Sequence, residues 1–143
     1  MSETDLIKLY SQRILALAAA IPHAERLPAP DATATRRSPL CGSTVTVDLT
    51  LTDDRIAEFG QEVKACALGQ ASAAIAGAQM IGLTQAQVLR ARDELTAMLK
   101  DHGPVPAAPF QGYEVLTPAR DYKNRHASIL LALEATAEAF AKA

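Results

Sequence analysis

Tryptophan is absent from this 143-residue chain, and aromatic residues make up only 4% of it. A core without large rings has to be assembled from Ala, Leu, Val and Ile, and apolar residues supply 49% of the sequence. An excess of charge of one sign is missing as well. The formal net charge is −2, and Arg36-Arg37 is too short a basic run to offer nucleic acid a positive footprint. Long hydrophobic runs are missing too. The apolar run from Ile14 to Ile21 stops at Pro22, well short of the ~20 residues that a bilayer span needs. The opening Met1-Ser2-Glu3-Thr4-Asp5 is acidic where a signal peptide is basic. The expected setting is therefore the cytoplasm, with neither membrane nor nucleic acid as partner. No P-loop, G-x-G-x-x-G or G-x-S-x-G motif is present, and no acid–base or nucleophile constellation is visible, so no enzymatic turnover is expected. The chain has only two cysteines, and in a reducing compartment these are free thiols or ligands, not a structural disulfide.

The remaining residues read as one α+β domain over 1–143. Leu6, Tyr10, Ile14, Leu17 and Ile21 recur at three- and four-residue steps and predict an N-terminal helix that Pro22 ends. Residues 22–40, with four prolines, read as an extended linker holding a short edge strand near Thr33 to Arg37. In residues 44–51, Val45, Val47, Leu49 and Leu51 alternate with Thr44, Thr46, Asp48 and Thr50, which predicts a strand with one buried and one wet face. Asp53-Asp54 supplies a turn. A second strand over Arg55 to Val63 alternates imperfectly, and a bulge near Gly60 accounts for that. From Cys66 onward the pattern is helical, with a small-residue run at Ala71 to Ala78 and Gly82 closing it. Thr84 and Gln87 form a capping box for a helix whose buried stripe is Val88, Ala91, Leu95 and Met98. Residues 103–112 read as a loop. Thr117-Pro118 predicts the start of a last helix with Ile129, Leu133, Ala137 and Phe140 buried. Strands followed by a block of helices predict a small antiparallel sheet of two to three strands, packed against an N-terminal helix and three following helices.

The chemistry concentrates at the cysteines. Cys41 lies between Pro39 and Gly42, in a turn at the entrance to the first strong strand. Cys66 follows a strand and opens a helix, where main-chain N–H groups stabilise an anionic thiolate. An antiparallel hairpin makes the start of its first strand the neighbour of the end of its second, so the two thiols are expected close together. The plain alternative is two small buried side chains. His126 sits near the start of the buried part of the last helix, where a surface or capping role is the ordinary one. His23 and His102 lie in linkers.

Two segments carry a resemblance. Ser38-Pro39-Leu40-Cys41-Gly42-Ser43 is similar to N-P-x-C-G-D, and Ala65-Cys66-Ala67-Leu68-Gly69-Gln70-Ala71-Ser72-Ala73-Ala74 is similar to G-C-A-I-S-Q-A-S-A-S. With Leu9-Tyr10 and the order of elements, the chain resembles the iron–sulfur cluster scaffolds of the IscU, SufU and NifU N-terminal type, and its long stretch after Cys66 is nearest the SufU branch. The resemblance implies an α+β sandwich with a [2Fe–2S] cluster or zinc at one end, held by three Cys, one Asp and, in some branches, one His. Cys41 and Cys66 carry over as ligands, with Cys41 the candidate sulfur acceptor. Ser43 stands where the family has Asp. The third family Cys is absent. An H-C-S-I-L register puts Ala127 in its place and makes His126 a candidate metal ligand, whereas an R-x-x-C register from Arg125 puts Ser128 there. The implied partner is a pyridoxal-phosphate cysteine desulfurase, the implied role a non-catalytic scaffold or sulfur relay, and the assembly a monomer or homodimer. A paralogue that keeps the fold but holds no metal, acting as adaptor or regulator, is the alternative.

Overall fold

A computed structural model describes residues 11–40 and 42–143. Helix α1 spans Gln12–Ala19, with the Ser11 hydroxyl accepting from the Ile14 amide at its start. Strands β1 (Ala32–Arg37), β2 (Thr44–Thr52) and β3 (Arg55–Lys64) form one antiparallel sheet in the order β1-β2-β3. Helix α2 (Ala67–Gly77) follows directly, then α3 (Gln85–Lys100), a 3-10 segment (Gln111–Asp121) and α4 (Lys123–Lys142). The predicted α+β class and the three-stranded sheet both hold. No described helix is long and apolar enough to cross a membrane. Leu6, Leu9, Tyr10 and Cys41 lie outside the described residues.

The hairpin follows its sequence signals. Asp53 and Asp54 both adopt positive φ (53° and 63°), the left-handed pair that matches the twist of a two-residue turn. Val45, Val47 and Leu49 are fully buried against the helices, and the predicted stripes of α3 and α4 are buried with them. The Thr84–Gln87 capping box forms as expected. Helix α2 runs through the centre, buried from Leu68 to Gly77 apart from a partly covered Gln70. Its small side chains let α1 and α4 approach closely, and the buried Tyr113 hydroxyl ties the 3-10 segment to Ser72 of α2.

Three expectations are corrected. The bulge in β3 is not at Gly60: the register slips between Thr50↔Glu58 and Leu51↔Ile56, which leaves Ala57 as the extra residue. The last helix does not start at Thr117-Pro118. Those residues belong to the 3-10 segment, and α4 begins at Lys123. The polar face of β2 is not wet throughout, because Asp48 is completely buried.

The last correction explains Gly60. The linker between α1 and β1 crosses the outer face of the sheet over Asp48 and Gly60, which are register partners. A Cβ at Gly60 would collide with the Glu25 carbonyl and crowd Leu27, so the glycine marks a close backbone approach. Asp48 clasps the same segment. It accepts from Arg26 Nε at 2.6 Å and Nη2 at 3.1 Å, from the Leu27 amide at 3.0 Å and from the Thr33 hydroxyl. Burial pushes the Asp48 carboxyl up, but the hydrogen bonds from Arg26, Thr33 and Leu27 and the Arg26 charge outweigh it and hold it below the usual range. A lowered folded value means stability that is present in full above the free-carboxylate value of about 4 and lost as pH falls through the folded one. Asp48→Ala is expected to cost about 2 kcal/mol in urea unfolding at neutral pH, less than the ~3–5 kcal/mol of a fully buried pair because Arg26 is half-exposed. The gap between Asp48→Asn and the parent narrows on acidification below pH ~4; a gap that widens there contradicts the assignment.

Candidate metal and sulfur site

The β2–β3 register pairs Thr44 with Lys64. Ser43 and Cys66 flank that pair, just beyond the hydrogen-bonded ends of the two strands. The Cys66 amide donates to Ser43 Oγ at 3.4 Å. Cys66 is also the N-cap of α2, with extended backbone (φ −66°, ψ 170°) and no side-chain capping bond, so its thiol is available for another partner. That partner comes from α4. Cys66 Sγ lies 3.4 Å from Ser128 Oγ, and Ser128 Oγ donates to Ser43 Oγ at 3.1 Å. With the Ser128 proton committed to Ser43, the Ser128 oxygen is free to accept in its contact with Cys66 Sγ.

Ser43 and Ser128 are buried, and Cys66 is partly exposed. Gly69, one turn into α2, makes the approach of α4 possible: a Cβ there would lie 2.7 Å from Ser128 Oγ and 2.8 Å from the Ala65 Cβ.

The spacings are those of hydrogen-bonded groups, and one of the two overlaps the range of metal ligands. Zn–S of ~2.3 Å and Zn–O of ~2.0 Å place tetrahedral neighbours roughly 3.3–3.8 Å apart, and the Cys66–Ser128 and Ser128–Ser43 separations fall at or just below that range. The donor chemistry is different. Two hydroxyls are bonded to each other beside the thiol, and among the described residues no three His, Cys, Asp or Glu side chains gather in one place. A [2Fe–2S] cluster wants four ligands, mostly thiolate, and this set alone does not supply them.

The candidate ligands separate accordingly. Cys66 stands at the centre of the cluster. The flanks of Cys41 are well fixed: the Ser38 amide donates to Ser43 O, the Gly42 amide donates to Ser38 O, and Gly42 takes a positive φ of 69°. Cys41 itself is outside the described residues. His126 is buried, but its Nε2 lies 2.9 Å from Ala119 O and 3.1 Å from Arg120 O, on the side of the 3-10 segment. Two positions along a helix is a rotation of about 200°, so a side chain at 126 points away from the cluster that Ser128 reaches. The structure thus brings Ser43, Cys66 and Ser128 together and leaves His126 apart.

No family model matches the chain, and no curated protein does. Solved structures do. The N-terminal part of a nitrogen-fixing NifU-like protein from Brucella abortus is 43% identical, with a TM-score of 0.93 and 96% of each chain covered. The chain belongs to the NifU-like N-terminal family. A SUF-system protein of Fervidobacterium islandicum AW-1, described as an iron–sulfur cluster assembly scaffold, shares the fold at 20% identity, with a TM-score of 0.82 over 94% of this chain and 98% of that one.

Gly69→Ala is expected to cost about 1–3 kcal/mol through overpacking and to lift Ser128 off Cys66, raising the alkylation rate of Cys66 in peptide-resolved mass spectrometry. Unchanged stability and unchanged labelling would show that α4 is not held against the thiol in this way.

Proposed function

We propose that this protein acts in iron–sulfur cluster assembly as a scaffold-family member that carries sulfur or metal on Cys41 and Cys66 and does not itself turn over a substrate. The observation that carries the reading is Cys66 at the N-cap of α2, touching Ser128 and Ser43, in a chain 43% identical to a NifU-like protein over 96% of its length. Cys41 is the proposed sulfur acceptor and Cys66 the second thiol. The sulfur donor is a pyridoxal-phosphate cysteine desulfurase, and the setting is the cytoplasm. Cluster or zinc is cargo here. With hydroxyls at 43 and 128, one chain offers two thiols, so a [2Fe–2S] cluster requires ligands from a second copy or from a partner.

Two measurements test this. Iron, zinc and acid-labile sulfide are assayed per chain after anaerobic purification, and a single-sulfur mass gain is sought after incubation with a cysteine desulfurase and cysteine. The reading expects metal or transferred sulfur in the parent and loss of both in Cys41→Ser with Cys66→Ser. Iron with sulfide marks a working scaffold, and sulfur transfer with zinc alone marks a relay. A parent with neither metal nor sulfur overturns the proposal in favour of a metal-free adaptor.

A gain-of-ligand variant tests the altered positions directly. Ser128 Oγ lies 3.4 Å from Cys66 Sγ and 3.1 Å from Ser43 Oγ, close enough for an acid at 43 and a thiol at 128 to converge with Cys66 on one ion, so Ser43→Asp with Ser128→Cys is expected to bind about one zinc per chain, at least tenfold tighter than the parent in competition with a chromophoric chelator. The Ser43→Asp, Ala127→Cys pair serves as control and is expected not to reproduce the gain. Equal gains from the two pairs would return the register question to the H-C-S-I-L alternative.

A further inference from the structure

A second polar site lies on the other side of α4. A cleft of about 490 Å3 opens between the end of α3, the end of the 3-10 segment and the start of α4, lined by Leu99, Lys100, His102, Arg120, Asp121, Lys123 and His126. Two of the chain's three histidines face it. Three fixed cations, Lys100, Arg120 and Lys123, surround it against a single carboxylate, on a protein whose net charge is −2. Among the described residues none of the three makes an ion pair, and neither does Asp121, although Arg26, Arg36, Arg90 and Arg92 all do.

Helix-end electrostatics account for part of this arrangement. Arg120 donates from Nε to Met98 O at 2.8 Å and from Nη2 to Gly103 O at 2.6 Å. It thereby serves the carbonyl end of α3, where a cation belongs, and Lys100 belongs there too. Lys123 does not. It is the first residue of a 20-residue helix, the end where positive charge is unfavourable, and that end has no side-chain cap and no acidic residue in its first turn. The floor of the cleft is the buried His126 ring. Its Nε2 is committed to the Ala119 and Arg120 carbonyls, and among the described residues no hydrogen bond reaches Nδ1. Arg120 Nη1 has no described partner either. The wall thus offers a guanidinium anchored at Nε and Nη2, two exposed ammonium groups and a helix N-terminus, against the single carboxylate of Asp121.

We propose that this cleft binds a small oxyanion, of the phosphate or carboxylate class, between Arg120, Lys100, Lys123 and the start of α4. The site is independent of the thiol chemistry at Cys66 and stands whether or not the protein carries metal or sulfur.

The test is an NMR titration of the 15N-labelled full chain with inorganic phosphate, and separately with citrate, at constant ionic strength set by sodium chloride. Saturable shifts confined to residues 99–103 and 120–126 are expected with at least one of them. Lys100→Gln combined with Lys123→Gln is expected to weaken binding about tenfold, and Asp121→Asn to tighten it about threefold, as exposed charges of either sign would. Both lysines and Asp121 are exposed, so retention of the folded spectrum is expected and is read in the same experiment. Shifts that never saturate, that appear equally with chloride, or that persist undiminished in the double lysine variant would overturn the proposal.

Discussion

The antiparallel register of β2 with β3 is the constraint on which the rest depends. Pairing Thr44 with Lys64 leaves Ser43 and Cys66 side by side at one end of the sheet. Because β3 runs into α2 almost without a break, the same register places Cys66 at a helix N-terminus. Slipping it by one residue would turn Val45, Val47 and Leu49 outward and expose the face on which α4 rests. The burial of those three side chains therefore fixes the site as firmly as it fixes the core. Each fully buried aliphatic contributes about 1.5–3 kcal/mol, far more than the weak Cys66–Ser43 contact, so the site geometry is a consequence of the core and not a cause of it.

Packing from the opposite side completes the arrangement. Gly69 lets α4 come within reach of α2, and the Ser128 hydroxyl fills the space that a side chain at 69 would need. The outer face of the sheet is closed by the linker, pinned at Asp48 and admitted by Gly60. These two glycines do the same job for different neighbours, one admitting α4 and the other the linker, and neither has the positive φ of a left-handed turn.

Much of this was legible in the residues. The period-two alternation of 44–51, the Asp53-Asp54 turn, the Thr84–Gln87 box and the stripe through Ile129, Leu133, Ala137 and Phe140 are local signals, and each holds in the fold. The misreadings came from long-range contacts. Asp48 occupies the polar phase of a strand, and nothing local says that Arg26, 22 residues earlier, returns to cover it. Gly60 is compatible with a bulge or with a close approach, and only the path of the linker decides between them. Thr117-Pro118 carries a good helix-start signal, but Pro118 is accommodated in a 3-10 segment, and the chain turns into α4 only after Tyr122. At the site, Cys66 was legible from its motif, whereas Ser128 was one of two alternatives, because a one-residue choice of register cannot be made from a motif whose defining cysteine is gone.

Helical phase separates the two candidate positions and has a further consequence. His126 and Ser128 stand on nearly opposite sides of the same turn of α4. One side delivers a hydroxyl to Cys66 and Ser43, and the other closes a basic cleft with an imidazole whose Nε2 is anchored to two carbonyls. A histidine ligand and a ligand at 128 would require this turn to face both ways at once. The rotation of α4 is set by its buried stripe and by Gly69, neither of which leaves room for that. In this chain the turn is divided between a thiol–hydroxyl cluster and a cleft rich in basic side chains, and residue 128, not residue 126, is the one in contact with the Cys66 thiol.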